Sequence, residues 1–161
     1  MKFDFKNLKK FTGGLDGLIW SATMYIDGKK ACNVLDEGNG GGLHLTWHSK
    51  ELQTQFHNHV QSLPLDMTAD KRLYPNGYKK SEDVVICELV DNHENAQKTK
   101  NTIKRWSKTK TIFTMVQDPE DTYQNITVPF SEKVKEAILK KYGEGISKIY
   151  DQDGELVYSK K

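Results

Sequence analysis

The segment from Lys98 to Lys110, here called the basic segment, contains the residues whose types and spacing most clearly favour a binding function. Its thirteen residues include six cations and no acid, and Trp106 lies among them. The cations are Lys98, Lys100, Lys104, Arg105, Lys108 and Lys110. Because cations neutralise phosphates and an indole ring stacks on a base, the segment predicts an anionic docking surface. The alternative is a solvated helix end, in which the lysines complement the helix dipole and Trp106 belongs to the core.

A second candidate site is the stretch of residues 36–42, here called the glycine loop. Successive backbone amides there could cradle a phosphate or a carboxylate, and Asp36 and Asn39 could instead hold a hard cation. With Gly40 and Gly41 they form the candidate ligand-binding set. A strand is predicted directly after the glycines, whereas the P-loop and the dinucleotide fingerprint both need a helix there. The alternative is a flexible connection between two strands.

The cysteines and histidines give no pattern of catalytic or metal-binding residues. Cys32 lies in a predicted strand and Cys87 on the apolar stripe of a predicted helix, where a thiol behaves as a small hydrophobe. The spacing of the histidines does not supply the three or four convergent ligands of a zinc site. We therefore expect no catalytic residue, no metal and no cofactor, and a protein that is not an enzyme.

The elements that would position these residues begin with a predicted antiparallel meander of three strands between Leu18 and Trp47. Apolar residues alternate along its first strand, as in a strand with one buried face. They are Trp20, Ala22, Met24 and Ile26. An Asp-Gly pair at residues 27–28 predicts a tight type I′ turn. In the second strand Ala31 and Leu35 are predicted to share a side, and a segment around Phe3–Phe5 is expected to add an edge strand.

Three helices are predicted, each with a serine at its N-cap. Ser49 precedes an apolar stripe that Pro64 ends. Ser81 precedes a longer helix with a polar second half, and a break is expected near Asn92 and Asn95. Two hairpins and a third helix, which starts after a serine at 131, complete the pattern. The hairpin strands span residues 111–116 and 123–128, and residues 146–150 and 155–158.

Residues 64–80 are predicted to form an irregular loop, here called the 64–80 loop. Prolines and a glycine punctuate it, and no periodicity is present. A loop of this length inside a compact domain is either disordered or an interaction surface. Tyr74 and Tyr78 are its candidate contacts with a partner.

The composition limits the class of protein. The chain has 161 residues, a hydrophobic fraction of 36% and a formal net charge of +2. The length and the pattern of elements predict a single α+β domain over residues 1–161, with a meander and helix followed by a helix, a hairpin, a helix and a closing hairpin. No transmembrane stretch or signal peptide is visible, so we expect a cytoplasmic protein without membrane contact.

The small net charge conceals an uneven distribution. The basic segment carries +6, and the rest of the chain carries 18 cations against 22 acids, or −4. This asymmetry predicts one polarised face. Wholesale mimicry of DNA by an acidic surface is excluded.

The stretch from Trp20 to Lys30, together with Asp36–Gly41 and Trp47, resembles small accessory proteins of bacteriophages and other mobile elements. The resemblance covers roughly the first 60 residues. It implies a protein that acts on host machinery, and such proteins include anti-CRISPR and other anti-defence inhibitors. We therefore expect a non-enzymatic protein that binds and inhibits a host protein or protein–nucleic-acid complex, such as Cas9, through the 64–80 loop and the basic segment.

Two other functions remain open at this point. The first is direct binding of nucleic acid through the basic segment, whose cations would make the affinity depend on salt. The second is sequestration of a nucleotide or another small ligand by Gly38–Gly42.

Overall fold

The computed structural model describes residues 1–15, 17–119 and 122–160. In these residues the chain forms three α-helices and two four-stranded antiparallel sheets, which confirms the α+β class. The chain divides into two compact units, Met1–His93 and Glu94–Lys161. One helix carries the chain from the first unit into the second. The single domain over residues 1–161 therefore stays a prediction.

The first unit contains a meander whose strands lie in the order of the sequence. They are β1 (Phe3–Thr12), β2 (Leu18–Ile26), β3 (Lys29–Asp36) and β4 (His44–Trp47). The edge strand predicted around Phe3–Phe5 is confirmed and extends over ten residues, so it adds a fourth strand to the three of the predicted meander. The β2–β3 turn has positive φ angles at Asp27 (48°) and Gly28 (79°), as a type I′ turn requires.

The buried side of β2 is as predicted, but that of β3 is not. Ala31 and Leu35 were expected to share a side, and this prediction is wrong because Ala31 is buried and Leu35 is exposed. The cause is an irregularity in the register, which pairs Met24 with Cys32 but Tyr25 with Lys30. Ala31 is thus the extra residue of a bulge. The side chains that face the core are those at alternate positions from Cys32 onward.

Two helices cover the apolar face of this sheet. In α1 (Lys50–Ser62) the Ser49 hydroxyl accepts a hydrogen bond from the Leu52 amide at 3.3 Å, which confirms the predicted cap. Phe56 of α1 is fully buried, and its ring lies 5.8 Å from that of Phe3 and 5.7 Å from that of Trp47, measured between centroids. The N-terminal part of α2 (Glu82–Ser107) contributes further residues to the same core.

The helix α2 is continuous, so the break expected near Asn92 and Asn95 is wrong. The polar residues there do mark a change, because the boundary between the two units falls between His93 and Glu94. A long helix can cross such a boundary because its backbone hydrogen bonds are made within the helix and do not depend on side-chain burial.

The second unit contains the C-terminal part of α2 and one helix with four strands. The strands are β5 (Thr111–Met115), β6 (Gln124–Ile126), β7 (Ile146–Tyr150) and β8 (Leu156–Ser159), and α3 (Glu132–Tyr142) lies between β6 and β7. Both predicted hairpins are present. β5 pairs with β7, and this pairing joins the two hairpins into one sheet in the order β6-β5-β7-β8. No sequence pattern predicted the pairing.

Candidate nucleic-acid interface

The basic segment occupies the last turns of α2 and the turn that follows. Of its six cations, Lys110 is half-buried and the others are exposed. In this part of α2, Ile103 (3% exposed) and Ser107 (0% exposed) are buried, and Lys104, Arg105 and Trp106 between them reach solvent. Trp106 is 42% exposed, so the alternative in which it belongs to the core is wrong.

Within the described residues, most of the cations of the basic segment have no carboxylate partner. The Lys100 ammonium lies 3.0 Å from Glu155 Oε1. In the part of the chain that the structure describes, no carboxylate forms an ion pair with any of the other five cations. Such a surface attracts phosphates, and the attraction weakens as salt screens it.

A groove runs beside the basic segment, and we call it the aromatic groove. One part encloses about 460 Å³ between α2 and the β7–β8 hairpin. The adjoining part, of about 350 Å³, reaches Trp106. Both parts are lined by Asn95, Thr99, Ile103 and Tyr123.

Aromatic rings and polar groups alternate along the aromatic groove. The rings of Tyr123 and Tyr150 lie 6.3 Å apart between centroids and meet edge to face at 60°. Burial raises the pKa of the Tyr150 hydroxyl, which therefore keeps its proton and its capacity to donate a hydrogen bond at neutral pH. Lys98 lines the part near Trp106, and Lys148 lines the part near Tyr150. The groove thus offers ring faces, amide and hydroxyl groups, and ammonium groups to one ligand.

The β7–β8 turn is held close to α2. A Cβ atom at Gly154 would lie 3.0 Å from the Lys104 backbone nitrogen, and Gly154 has a φ of 76°. The Asp151 carboxylate accepts hydrogen bonds from the amides of Asp153 (2.9 Å) and Glu155 (2.8 Å), which fixes the turn. The hairpin of residues 146–150 and 155–158 was predicted from the sequence, but the approach of its turn to α2 was not.

The 64–80 loop belongs to the first unit and has internal order. Asp66 and Tyr78 pair through two backbone hydrogen bonds of 2.8 and 2.9 Å, which close the loop at its base. The Thr68 hydroxyl donates to the Asp66 carboxylate at 2.6 Å and lowers the pKa of that carboxyl. The rings of the predicted contact residues Tyr74 and Tyr78 lie 5.0 Å apart. The structure thus brings these two together, in a different unit from the basic segment.

The surface of the 64–80 loop is unusually apolar. Its exposed apolar side chains are Leu65 (47%), Met67 (58%), Leu73 (72%) and Tyr74 (43%). The Lys79 ammonium anchors the loop, because it donates to the carbonyls of Gln61 (2.6 Å) and Leu63 (2.7 Å) at the end of α1. A closed, anchored loop with an apolar surface favours an interaction role over disorder.

The polar side chains of the glycine loop form hydrogen bonds within the first unit. Asp36 accepts hydrogen bonds from Trp20 Nε1 (3.0 Å) and from the Gly38 amide (2.8 Å), and Asn39 accepts one from the Gly41 amide (3.0 Å). A Cβ atom at Gly38 would overlap the Leu18 carbonyl oxygen. These contacts stabilise the connection between β3 and β4, and ligand binding by this loop, including Gly40, stays a prediction.

The thiols and imidazoles lie apart from one another. Burial raises the pKa of the Cys32 thiol to about 11, and burial also raises that of Cys87, so neither is an activated nucleophile. His57 Nδ1 contacts Glu82 Oε1 at 2.8 Å. Among the described residues, no three or more His, Cys, Asp or Glu side chains converge as a metal site would need. No helix within those residues is both long and apolar enough to cross a membrane.

The chain has no match among the known proteins with which it was compared. No family model matches the chain, and neither a curated protein nor a solved structure matches it. The functional interpretation therefore depends on the basic segment, the aromatic groove and the 64–80 loop.

Proposed function

We propose that this protein binds single-stranded nucleic acid in the aromatic groove, without catalysing a reaction on it. The observation that carries the proposal is the exposure of Trp106 among cations of which, within the described residues, only Lys100 has a carboxylate partner. Trp106 lies at the end of a groove that also contains Tyr123 and Tyr150. Removal of the large apolar surface of a tryptophan ring from water is strongly favourable, so the exposed ring of Trp106 can contribute to the affinity for a ligand that stacks on it.

Single strands fit this groove better than duplexes do. Bases in a duplex are stacked on each other, whereas the unstacked bases of a single strand can stack on aromatic side chains. The polar groups of Asn95 and Thr99 can donate to and accept from base edges. Lys98, Arg105 and Lys148 are exposed ammonium and guanidinium groups that can neutralise the phosphates of the same strand.

The test is fluorescence anisotropy with a labelled fifteen-nucleotide single strand and the matching duplex, over a series of salt concentrations. We expect tighter binding of the single strand and a logarithmic salt slope of about −0.7 for each phosphate contact. Trp106→Ala is expected to weaken binding by about 1–3 kcal/mol, because one stacked base is lost.

A charge-matched pair of variants separates the groove from the net charge. Lys98→Glu with Arg105→Glu changes two cations of the basic segment, and Lys29→Glu with Lys71→Glu changes two exposed lysines of the first unit. We expect only the first variant to abolish binding. Equal losses in both variants, or binding that ignores salt, would contradict the proposal.

A second candidate function is inhibition of a host protein–nucleic-acid complex such as Cas9. The exposed apolar side chains of the 64–80 loop favour it, because they suit a protein partner better than a nucleic acid. The test is DNA cleavage by purified Cas9 with its guide RNA, in the presence of this protein. Leu73→Asp is expected to relieve inhibition, while Leu15→Asp, at a leucine that is also exposed in the first unit, leaves it unchanged. Cleavage at the full rate with the unaltered protein would refute this function.

A further inference from the structure

The second unit has another groove, on the side of its sheet that α3 covers. We call it the α3 groove. It encloses about 270 Å³ between α3 and the chain that forms and follows β6. The apolar residues that line it are Ile126, Val128, Val134, Ala137 and Ile138.

The α3 groove is open to solvent. Val128 is 46% exposed, and Ala137 is exposed as well. The small side chain of Ala137 leaves space along the middle of the helix face, whereas Ile138 beside it is buried. A longer apolar side chain from a partner would fill that space and be removed from water.

Two lysines lie at the ends of the α3 groove. Lys133 and Lys141 are eight residues apart on α3, which places them about 12 Å apart along the helix axis. Within the described residues neither lysine has a carboxylate partner, while the nearby Lys135 lies 3.0 Å from the Glu132 carboxylate. The Lys141 ammonium lies 5.0 Å from the centroid of the Tyr142 ring. An apolar groove with two such lysines is complementary to an apolar side chain between two acids.

The strand beside the α3 groove has an unpaired edge. β6 lies at the end of its sheet, and within the described residues only β5 pairs with it. An extended segment of another protein can hydrogen-bond to such an edge. In an extended segment, residues i, i+2 and i+4 face the same side and span about 13 Å, close to the spacing of the two lysines.

We propose that the α3 groove binds an extended peptide segment of a partner protein, in which an apolar residue stands between two acidic residues at i and i+4. The apolar side chain lies over Ala137, the acidic groups pair with Lys133 and Lys141, and the backbone adds to β6. This site is separate from the aromatic groove and does not depend on the binding of nucleic acid.

The test is fluorescence anisotropy with a labelled peptide whose core is Glu-Thr-Leu-Thr-Glu, on the full chain. We expect saturable binding that weakens roughly tenfold or more when threonine replaces the leucine of the peptide. Ala137→Leu fills the α3 groove without burying a new polar group, so it is expected to abolish binding while the circular dichroism spectrum is unchanged.

A matched pair on one helix tests the charge requirement. Lys141→Glu is expected to weaken binding about fivefold or more, and Lys140→Glu, an exposed neighbour outside the groove with the same change of charge, less than twofold. Equal effects of the two variants, or equal affinity for the leucine and threonine peptides, would overturn the proposal. Binding to phosphatidylserine vesicles but not to the peptide would also overturn it, as would self-association that Ala137→Leu abolishes in sedimentation.

Discussion

The two units use their sheets in different ways. In the first unit, α1 and the start of α2 bury a large apolar cluster that includes Met24, Ile26 and Phe56. In the second unit the buried cluster around Phe113, Ile138 and Ile149 is smaller, and grooves lie beside both of its helical segments. The first unit therefore buries the larger apolar core, and the second has grooves beside its helical segments in which rings and cations are accessible to ligands.

The largest effect that this comparison predicts is on the core of the first unit. Phe56→Ala removes a fully buried ring that contacts two other rings, so the free energy of unfolding should fall by about 3–5 kcal/mol. Urea unfolding followed by far-ultraviolet circular dichroism measures it, because both units contain helix and strand and contribute to the signal. Leu156→Ala, at an exposed position of the second unit, is the control and should change stability by less than about 0.5 kcal/mol. Similar losses of stability in both variants would contradict the difference between the two units.

A smaller effect distinguishes two tryptophans. Trp20→Phe removes the donor to Asp36 and leaves part of that carboxylate without its partner, which should cost about 1–3 kcal/mol of stability. Trp106→Phe should change stability by less than about 0.5 kcal/mol, because Trp106 is exposed. Thermal unfolding of both variants gives the measurement. If Trp106→Phe were as destabilised as Trp20→Phe, the result would show that Trp106 contributes to the stability of the fold.

The smallest effect is a response of the 64–80 loop to acid. The pKa of Asp66 is lowered in the folded protein, so its hydrogen bonds stabilise the loop fully above the ordinary value of about 3.9. That stabilisation is lost as the pH falls through the lower, folded pKa. The amide resonance of Thr68, which donates to Asp66 at 2.8 Å, should therefore shift only below about pH 4 in an NMR titration. The Asp66→Asn variant should show no such step, and a Thr68 transition above pH 4 would contradict the assignment.

Much of the local structure could be predicted from the sequence. The alternation in β2, the Asp-Gly turn and the caps at Ser49 and Ser131 depend on neighbouring residues, and all are observed. Leu35 was misplaced because a bulge at Ala31 shifts the register, and a single extra residue reverses the side on which each later side chain lies. The pairing of β5 with β7 was missed because it joins segments separated by a helix, and no local pattern specifies it.

In the candidate site, too, the features that depend on neighbouring residues were predicted and those that depend on the tertiary fold were not. The basic segment was visible because its cations are close together in the sequence. Tyr123 and Tyr150 were missed as groove residues, since Tyr123 directly precedes β6, Tyr150 ends β7, and both meet α2 only through the tertiary fold. Tyr150 did have a usable pattern: it follows the buried Ile149 in a strand, so it had to face the opposite side of the sheet.

The close contact at Gly38 has a consequence for evolution. Gly14 and Gly38 both have positive φ angles, a Cβ atom on Gly14 would collide with the Gly38 carbonyl oxygen, and one on Gly38 would collide with that of Leu18. These contacts join backbone to backbone, so substitution of surrounding side chains cannot relieve them. Descendants of a common ancestor could therefore change most of their surface and still retain glycine at both positions. This pair, at its fixed spacing from the Asp-Gly turn, is a signature by which distant relatives can be recognised.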